Sequence, residues 1–175
     1  MTTYTLRHGE TKHNVEGLIQ GWCDSPLTEN GLANAVTIAR SIPLQNDPII
    51  KCSDLGRAVS TAQIIRETLG IKDDVIIDPN LRERSFGKYE GKPINELYDV
   101  IAHMGFERSP EGLYVLDIEG VEPLAEIKHR VAQVNTDSND RDLIIVGHGL
   151  SNNYLREIKN PKDFKFYAGR DAVKL

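Results

Sequence analysis

Leu143-Ile144-Ile145-Val146-Gly147-His148-Gly149 is the stretch on which the fold of this chain turns. Four consecutive apolar residues, three of them β-branched, read as a strand covered on both faces, because a strand with one wet face would alternate. A glycine, a histidine and a second glycine follow where the strand must end. The N-terminal Tyr4-Thr5-Leu6-Arg7-His8-Gly9 repeats the arrangement: Tyr4 and Leu6 alternate as a short strand entering the core, and Arg7-His8-Gly9 arrive at its end. In open α/β sheets ligands gather at the carboxyl ends of strands. Two histidines at two such ends therefore make a candidate site.

Between these ends the chain alternates strands with helices. Residues 9–30, rich in Gly, Asn and Asp, read as a long loop with one helical turn. Leu27-Thr28-Glu29-Asn30-Gly31 leads into an amphipathic helix through Leu32, Ala35, Val36, Ala39 and Ile42, stopped by Pro43. Pro48 to Cys52 is a short buried strand. Ser53-Asp54 is expected to cap a second helix, with Ala58, Ala62, Ile65 and Leu69 on one face and Gly70 at its end. Val75-Ile76-Ile77 reads as a third strand, 79–92 as irregular, Pro93 to about His103 as a helix and 104–122 as loop. A helix follows from about Pro123 to Val134, another follows Gly149, and Phe164 to Leu175 could add an edge strand. The alternation predicts a three-layer α/β/α sandwich with a mostly parallel central sheet, one domain over 1–175.

Composition narrows the class. The 175 residues are 39% hydrophobic and 27% charged, which is ordinary for a soluble globular enzyme. The formal charge of −5 argues against nucleic acid as a partner, although a local arginine cluster can still hold a small anion. No apolar run is long enough to span a membrane, and Met1-Thr2-Thr3-Tyr4-Thr5 has neither the basic nor the apolar portion of a signal peptide, so a cytoplasmic protein without membrane contact is expected. Cys23 and Cys52 have no metal-ligand spacing and read as reduced thiols, Cys52 buried in its strand.

Several strand and loop ends carry groups suited to a phosphoryl anion. A histidine can attack phosphorus, an adjacent guanidinium can hold phosphoryl oxygens, and glycine lets the backbone approach a ligand. Arg7 and His8 follow the first strand, and His148 follows the central one. Glu83 lies in the irregular piece after the third strand. Arg57 stands in the first turn of its helix, where a cation opposes the macrodipole by roughly 0.3–1 kcal/mol unless an anion joins it.

Together these residues resemble the histidine phosphatase superfamily, with its phosphoglycerate mutase-like fold. Arg7-His8-Gly9-Glu10-Thr11 with Asn14 is similar to its signature. Gly21-Trp22, Asp24 and Pro26-Leu27-Thr28 with Gly31 resemble the next block, and Ser53-Asp54-Leu55 with Arg57-Ala58 and Thr61-Ala62 the one after. Leu81 to Gly87 with Glu90-Gly91 resembles the acid-bearing loop. Gly120 to Pro123 with Arg130-Val131 is a looser match, and Val146 to Gly149 matches the last block. The resemblance implies His8 as the nucleophile that becomes phosphohistidine. Arg7, Arg57 and His148 would stabilise the transferring phosphoryl group, and Glu83, a buried carboxyl, would be general acid and then base. Asn14, Gln20, Gly21 and the backbone N–H of Gly149 would bind substrate. No metal and no cofactor is implied, because arginines and histidines supply the positive charge.

The position before Asn14, commonly tryptophan in the family, is His13, which reads as a surface loop residue; a zinc pair with His8 is disfavoured. His103 and His129 read as helix-surface residues, and Glu10 as orienting its loop. The cofactor-dependent mutases of the family carry a longer insertion after the acid loop and a longer C-terminal tail. Here 92–122 holds only Lys92 and Arg108 as cations, beside Met104, Phe106, Tyr114, Leu116 and Ile118, and 26 residues follow Gly149. With 92–122 as a substrate-covering insertion, these features imply a phosphomonoester hydrolase for a small phosphorylated metabolite, as monomer or homodimer. A cofactor-dependent phosphoglycerate mutase-type transferase and a non-catalytic phosphate-binding module are the alternatives.

Overall fold

The computed structural model describes residues 2–108, 112–159 and 164–167. Five described strands form one sheet in the order β3-β2-β4-β1-β5, with every pairing parallel. They are β1 (Thr3–Arg7), β2 (Ile49–Cys52), β3 (Ile76–Ile77), β4 (Leu143–Gly147) and β5 (Phe164–Tyr167). The helices are α1 (Lys12–Glu16), α2 (Glu29–Ser41), α3 (Gly56–Leu69), α4 (Ile94–His103), α5 (Gly112–Val115), α6 (Leu124–Ala132) and α7 (Gly149–Lys159).

The apolar run 143–146 behaves as its composition requires. β4 is central and buried throughout, and its side chains divide between two cores. Leu143 and Ile145 pack with Leu97, Ile101, Ile127, Val131 and Leu155, from α4, α6 and α7. Ile144 and Val146 pack with Tyr4, Leu6 and Cys52 of the sheet and Ala39, Ala58, Ala62 and Ile65 of α2 and α3. Each fully buried aliphatic side chain contributes about 1.5–3 kcal/mol against its exposed state. This is the expected sandwich, built by the period-2 alternation of one strand between two helical layers.

Strand register then brings the functional ends together. Arg7 lies opposite Gly147 and Cys52 opposite Val146. The ladder continues past the strands, with the His8 N–H donating to Gly147 O (3.0 Å) and the Ser53 N–H to Val146 O (3.1 Å). The segments carrying His8, His148 and the start of α3 thus leave one edge of the sheet side by side.

Helix boundaries mostly follow local chemistry. Thr28 caps α2 by accepting from the Gly31 N–H, and Ile42 turns extended because Pro43 disfavours a helical residue before it. Gly70 ends α3 at φ 68°. The expected Ser53-Asp54 cap is corrected: α3 begins at Gly56 after Leu55, with no capping side chain from its own flank. The carboxylate of Asp24, far away in sequence, accepts the Arg57 N–H instead (3.2 Å). The helical turn expected within 9–30 is α1, and within 104–122 the chain forms the short helix α5. The C-terminal edge strand is β5, parallel to β1; residues 168–175 of that expected strand lie outside the described residues.

Candidate active site

His8 is buried at the C-terminal end of β1. Its Nδ1 lies 2.8 Å from Gly9 O, and since a carbonyl only accepts, Nδ1 carries the proton and Nε2 keeps its lone pair. Burial, reinforced by the Arg7 and Arg57 charges, holds the His8 pKa well below the usual imidazole value. A neutral ring with a defined tautomer is the form that can attack phosphorus. Gly9 is required by close approach: a Cβ there would meet Gly31 O at 2.7 Å. The Gly9 N–H donates to Thr61 Oγ1 (2.9 Å), which ties the nucleophile loop to α3.

His148 faces His8, with ring centroids 5.1 Å apart. It is fully buried, and burial first, then the Arg57 charge, pushes its pKa well below the usual value. Both His148 ring nitrogens and Arg57 Nε are buried without a hydrogen-bond partner among the described residues. An unsatisfied buried polar group costs about 1–3 kcal/mol, so these atoms suit a polar or anionic partner; Arg57 lines the same cavity as His8, while His148, beside His8, is not among the residues that line it.

Arg57 corrects the picture of a guanidinium simply offered to an anion. Its Nη2 donates to Gly21 O (2.7 Å), and its Nη1 to Cys23 O (2.9 Å) and to Asp24 Oδ1 (3.3 Å). One edge is thus locked into the 21–24 loop, and the residue also lines the pocket. Burial lowers its pKa from the ordinary guanidinium value, opposed by the charges of Glu83 and Asp24. Arg7, half-buried on the pocket wall, has no ion pair among the described residues.

Glu83 is half-buried at the pocket wall, not enclosed as the sequence suggested. Its Oε1 accepts from the N–H groups of Arg84 (2.9 Å) and Leu150 (3.2 Å). The second donor belongs to the first turn of α7, where N–H groups have no partner inside the helix. At Gly149, the first residue of α7, a Cβ would stand 3.6 Å from Glu83 Oε2.

The proposed substrate-binding residues divide. Asn14 spends Oδ1 on the Thr11 N–H and hydroxyl in the capping box of α1, which leaves its amide group on the pocket wall. Gln20, buried, lies with Oε1 2.9 Å from Thr11 Oγ1 and also lines the pocket. Gly21 lines it at φ 54° and gives its carbonyl to Arg57. His13, expected on a surface loop, stands half-buried on α1 in the pocket wall, with Nδ1 4.0 Å from Cys23 Sγ. Glu10 accepts from the Thr28 hydroxyl (2.6 Å), the loop-orienting part expected of it. Leu18, Ile19, Phe86, Ile94, Leu113 and Leu150 supply an apolar wall. Of the apolar residues of 92–122, Leu116 and Ile118 are core, and Met104 and Phe106 are exposed.

Several residues that the sequence reading placed in family blocks without a role support the site. Arg84 is fully buried and donates to the carbonyls of Glu122 (2.7 Å), Leu113 (2.7 Å) and Leu116 (3.0 Å). Arg130 pairs doubly with Glu122 (2.8 and 2.9 Å) and donates to the carbonyls of Asn80, Arg82 and Glu83. Glu90 gathers the N–H groups of Trp22, Cys23 and Phe86. Backbone carbonyls and N–H groups leave no trace in a sequence, so the family blocks placed Arg84, Glu90 and Arg130 without showing what they hold.

His8, His148, Arg7, Arg57 and Glu83 thus lie near one another beside the C-terminal ends of β1 and β4. The profile of the histidine phosphatase superfamily (branch 1) matches residues 3–160, and the chain belongs to this superfamily of phosphoryl-transfer and phosphoryl-hydrolysis enzymes. Among curated proteins, it is 42% identical over 97 residues to "Probable phosphoglycerate mutase GpmB" of Yersinia pestis (strain Pestoides F), a match covering 55% of this chain and 44% of that protein. The matched part thus spans under half the length of that relative. Among solved structures, a phosphoglycerate mutase from Bacillus anthracis str. Sterne aligns over 95% of this chain and 83% of its own, with 27% identity and a TM-score of 0.75. A mycobacterial glucosyl-3-phosphoglycerate phosphatase aligns over 86% and 77%, with 27% identity and a TM-score of 0.69. Among the described residues no helix is long and apolar enough to cross a membrane.

Proposed function

We propose that the chain is a phosphomonoester hydrolase that works without a metal, through a phosphohistidine on His8, on a small phosphorylated metabolite. The observation that carries this reading is the fixed tautomer of His8 beside the unpartnered nitrogens of His148 and Arg57. In the first half-reaction His8 Nε2 bonds to phosphorus and the bond from phosphorus to the ester oxygen breaks. Protonated Glu83 gives its proton to that oxygen, and the alcohol leaves. Arg7, Arg57 and His148 hold the phosphoryl oxygens as charge develops. In the second half-reaction Glu83, now a carboxylate, takes a proton from water as its oxygen attacks phosphorus. The N–P bond breaks, inorganic phosphate leaves, and Glu83 is protonated again.

Hydrolysis is favoured over mutase chemistry by the pocket wall. Among the described residues its lining contains Arg7 and Arg57 as cations and no further lysine or arginine, which leaves no spare counter-charge there for a sugar-acid carboxylate. The cavity, about 150 Å³, suits a small substrate, since sites for drug-sized ligands run to roughly 300–1,000 Å³. The test is phosphate release by the purified protein, with chelator present, from p-nitrophenyl phosphate and 3-phosphoglycerate side by side. Turnover of the aryl ester, abolished in His8→Ala, is the expected result. Negligible hydrolysis of both esters together with activity in a primed mutase assay would replace the proposal by a mutase. Inactivity in both assays would leave a phosphate-binding module.

A further inference from the structure

Glu83 sits on a segment, 82–86, that belongs to no helix or strand, yet a proton donor must be aimed within a fraction of an ångström. Its carboxyl oxygens are held by the N–H groups of Arg84 and Leu150. Those bonds weaken when the carboxyl takes up a proton, because a charged acceptor binds about twice as strongly as a neutral one. Whatever keeps the acid aimed during the first half-reaction must therefore act elsewhere than on the carboxyl group.

The Glu83 backbone carbonyl supplies that anchor. It accepts two side-chain donors, Trp22 Nε1 and Arg130 Nη2, each at 2.8 Å. A carbonyl oxygen has two lone pairs, so both are occupied. The donors come from different parts of the fold: Trp22 from the 17–28 loop and Arg130 from α6. Each is itself braced. The Arg82 guanidinium lies 4.7 Å from the centroid of the Trp22 ring and is gripped by both oxygens of Asp54. Arg130 is fixed by its double bond to Glu122 and by the Asn80 and Arg82 carbonyls. Neither Trp22 nor Arg130 lines the pocket.

We propose that Trp22 and Arg130 are positioning residues for proton transfer, clamping the Glu83 carbonyl so that the carboxyl keeps its aim in both protonation states. This rests on the reading of Glu83 as the proton donor. The clamp explains why an exposed tryptophan points its N–H inward over the acid loop: the bond does nothing for substrate binding and acts on the leaving-group step.

The test compares two esters, p-nitrophenyl phosphate, whose phenolate departs without a proton, and an alkyl phosphate, whose alkoxide must be protonated. Trp22→Phe keeps a ring for Arg82 and removes only the donor. We expect its kcat/KM to fall about 10-fold or more with the alkyl ester and less than about twofold with the aryl ester, and inhibition by inorganic phosphate to stay as in wild type. Arg130→Lys should show the same split. An equal loss on both esters, or weakened phosphate inhibition, would make the two residues merely structural, and no loss on either would dismiss them. Glu83→Gln is the reference. If it also treats both esters alike, then Glu83 is not the proton donor, and the mechanism under which the clamp was argued fails first.

Discussion

Glu90→Gln tests how the 21–24 loop holds Arg57. Glu90 Oε1 accepts from the N–H groups of Trp22 (3.0 Å) and Phe86 (2.9 Å) and from the Ser85 hydroxyl (3.1 Å), and Oε2 accepts from the Cys23 N–H (2.9 Å). Glutamine offers one acceptor. In its better orientation the amide carbonyl takes the Oε1 place, and the NH2 group then faces the Cys23 N–H, donor against donor. One charge-assisted bond, about 1.5–3 kcal/mol, is lost outright, and three others weaken to neutral strength. Solvent exposure of the half-buried Glu90 offsets part of this, so about 3 kcal/mol is the expected destabilisation. For a chain of this size that lowers Tm by roughly 6–12 °C. Activity should suffer beyond stability, because Gly21 O and Cys23 O are the acceptors that lock Arg57. Movement of that anchor by about 1 Å predicts a 10- to 100-fold lower kcat/KM. Thermal unfolding and p-nitrophenyl phosphate kinetics, read below the variant's own transition, measure the two effects. A Tm within about 1 °C of wild type with unchanged kcat/KM would refute the reasoning that Glu90 organises the Arg57 anchor.

Other perturbations separate the remaining parts of the site. Arg57→Ala should cost about 2–4 kcal/mol of transition-state stabilisation, the scale of losing an oxyanion donor, and an unchanged kcat/KM would remove Arg57 from the site. His8 and His148 have folded pKa values held well below 6.5, while the unfolded chain takes up protons near 6.5. The unfolded state therefore holds more protons below that pH, and stability falls as pH drops, with a limiting slope of about 1.4 kcal/mol per pH unit for each histidine. Urea midpoints at pH 7.5 and 5.5 should drop less in the double variant His8→Ala/His148→Ala than in wild type; equal drops would refute it. Cys52 is fully buried, with its thiol pKa pushed up to about 12 by burial, then by Asp54. A thiol reagent at pH 8 should modify Cys23 slowly and Cys52 only after denaturation; two fast-reacting thiols in the native protein would contradict this.

Much of the fold could be read from local patterns. The run 143–146 announced a two-faced central strand, Thr28 and Pro43 bracketed α2, and Gly70 closed α3, because capping and alternation depend on neighbours in sequence. The α3 cap escaped, since its carboxylate comes from Asp24, over thirty positions away. The depth of Glu83 also escaped. Whether an irregular segment lies under or at the wall of a pocket depends on distant parts of the chain, here Leu113 and Leu150, which share that wall with Glu83. His13 was misplaced for a related reason: its helix is a single turn whose capping box, Thr11 with Asn14, lies inside a run that reads as loop.

By itself, then, the sequence determined the residue types of the chemistry and the strand ends that carry them, because hydrophobic period and turn residues act over a few positions. Tertiary structure alone decided adjacency. Inserting β4 between β1 and β2 brings His148 to 5.1 Å from His8, ring centroid to ring centroid, across 140 residues of chain. It also selected the backbone carbonyls that hold Arg57, Arg84 and Arg130. Every residue has such a carbonyl, so only the packed chain distinguishes the few that receive a guanidinium from those satisfied within a helix or a sheet.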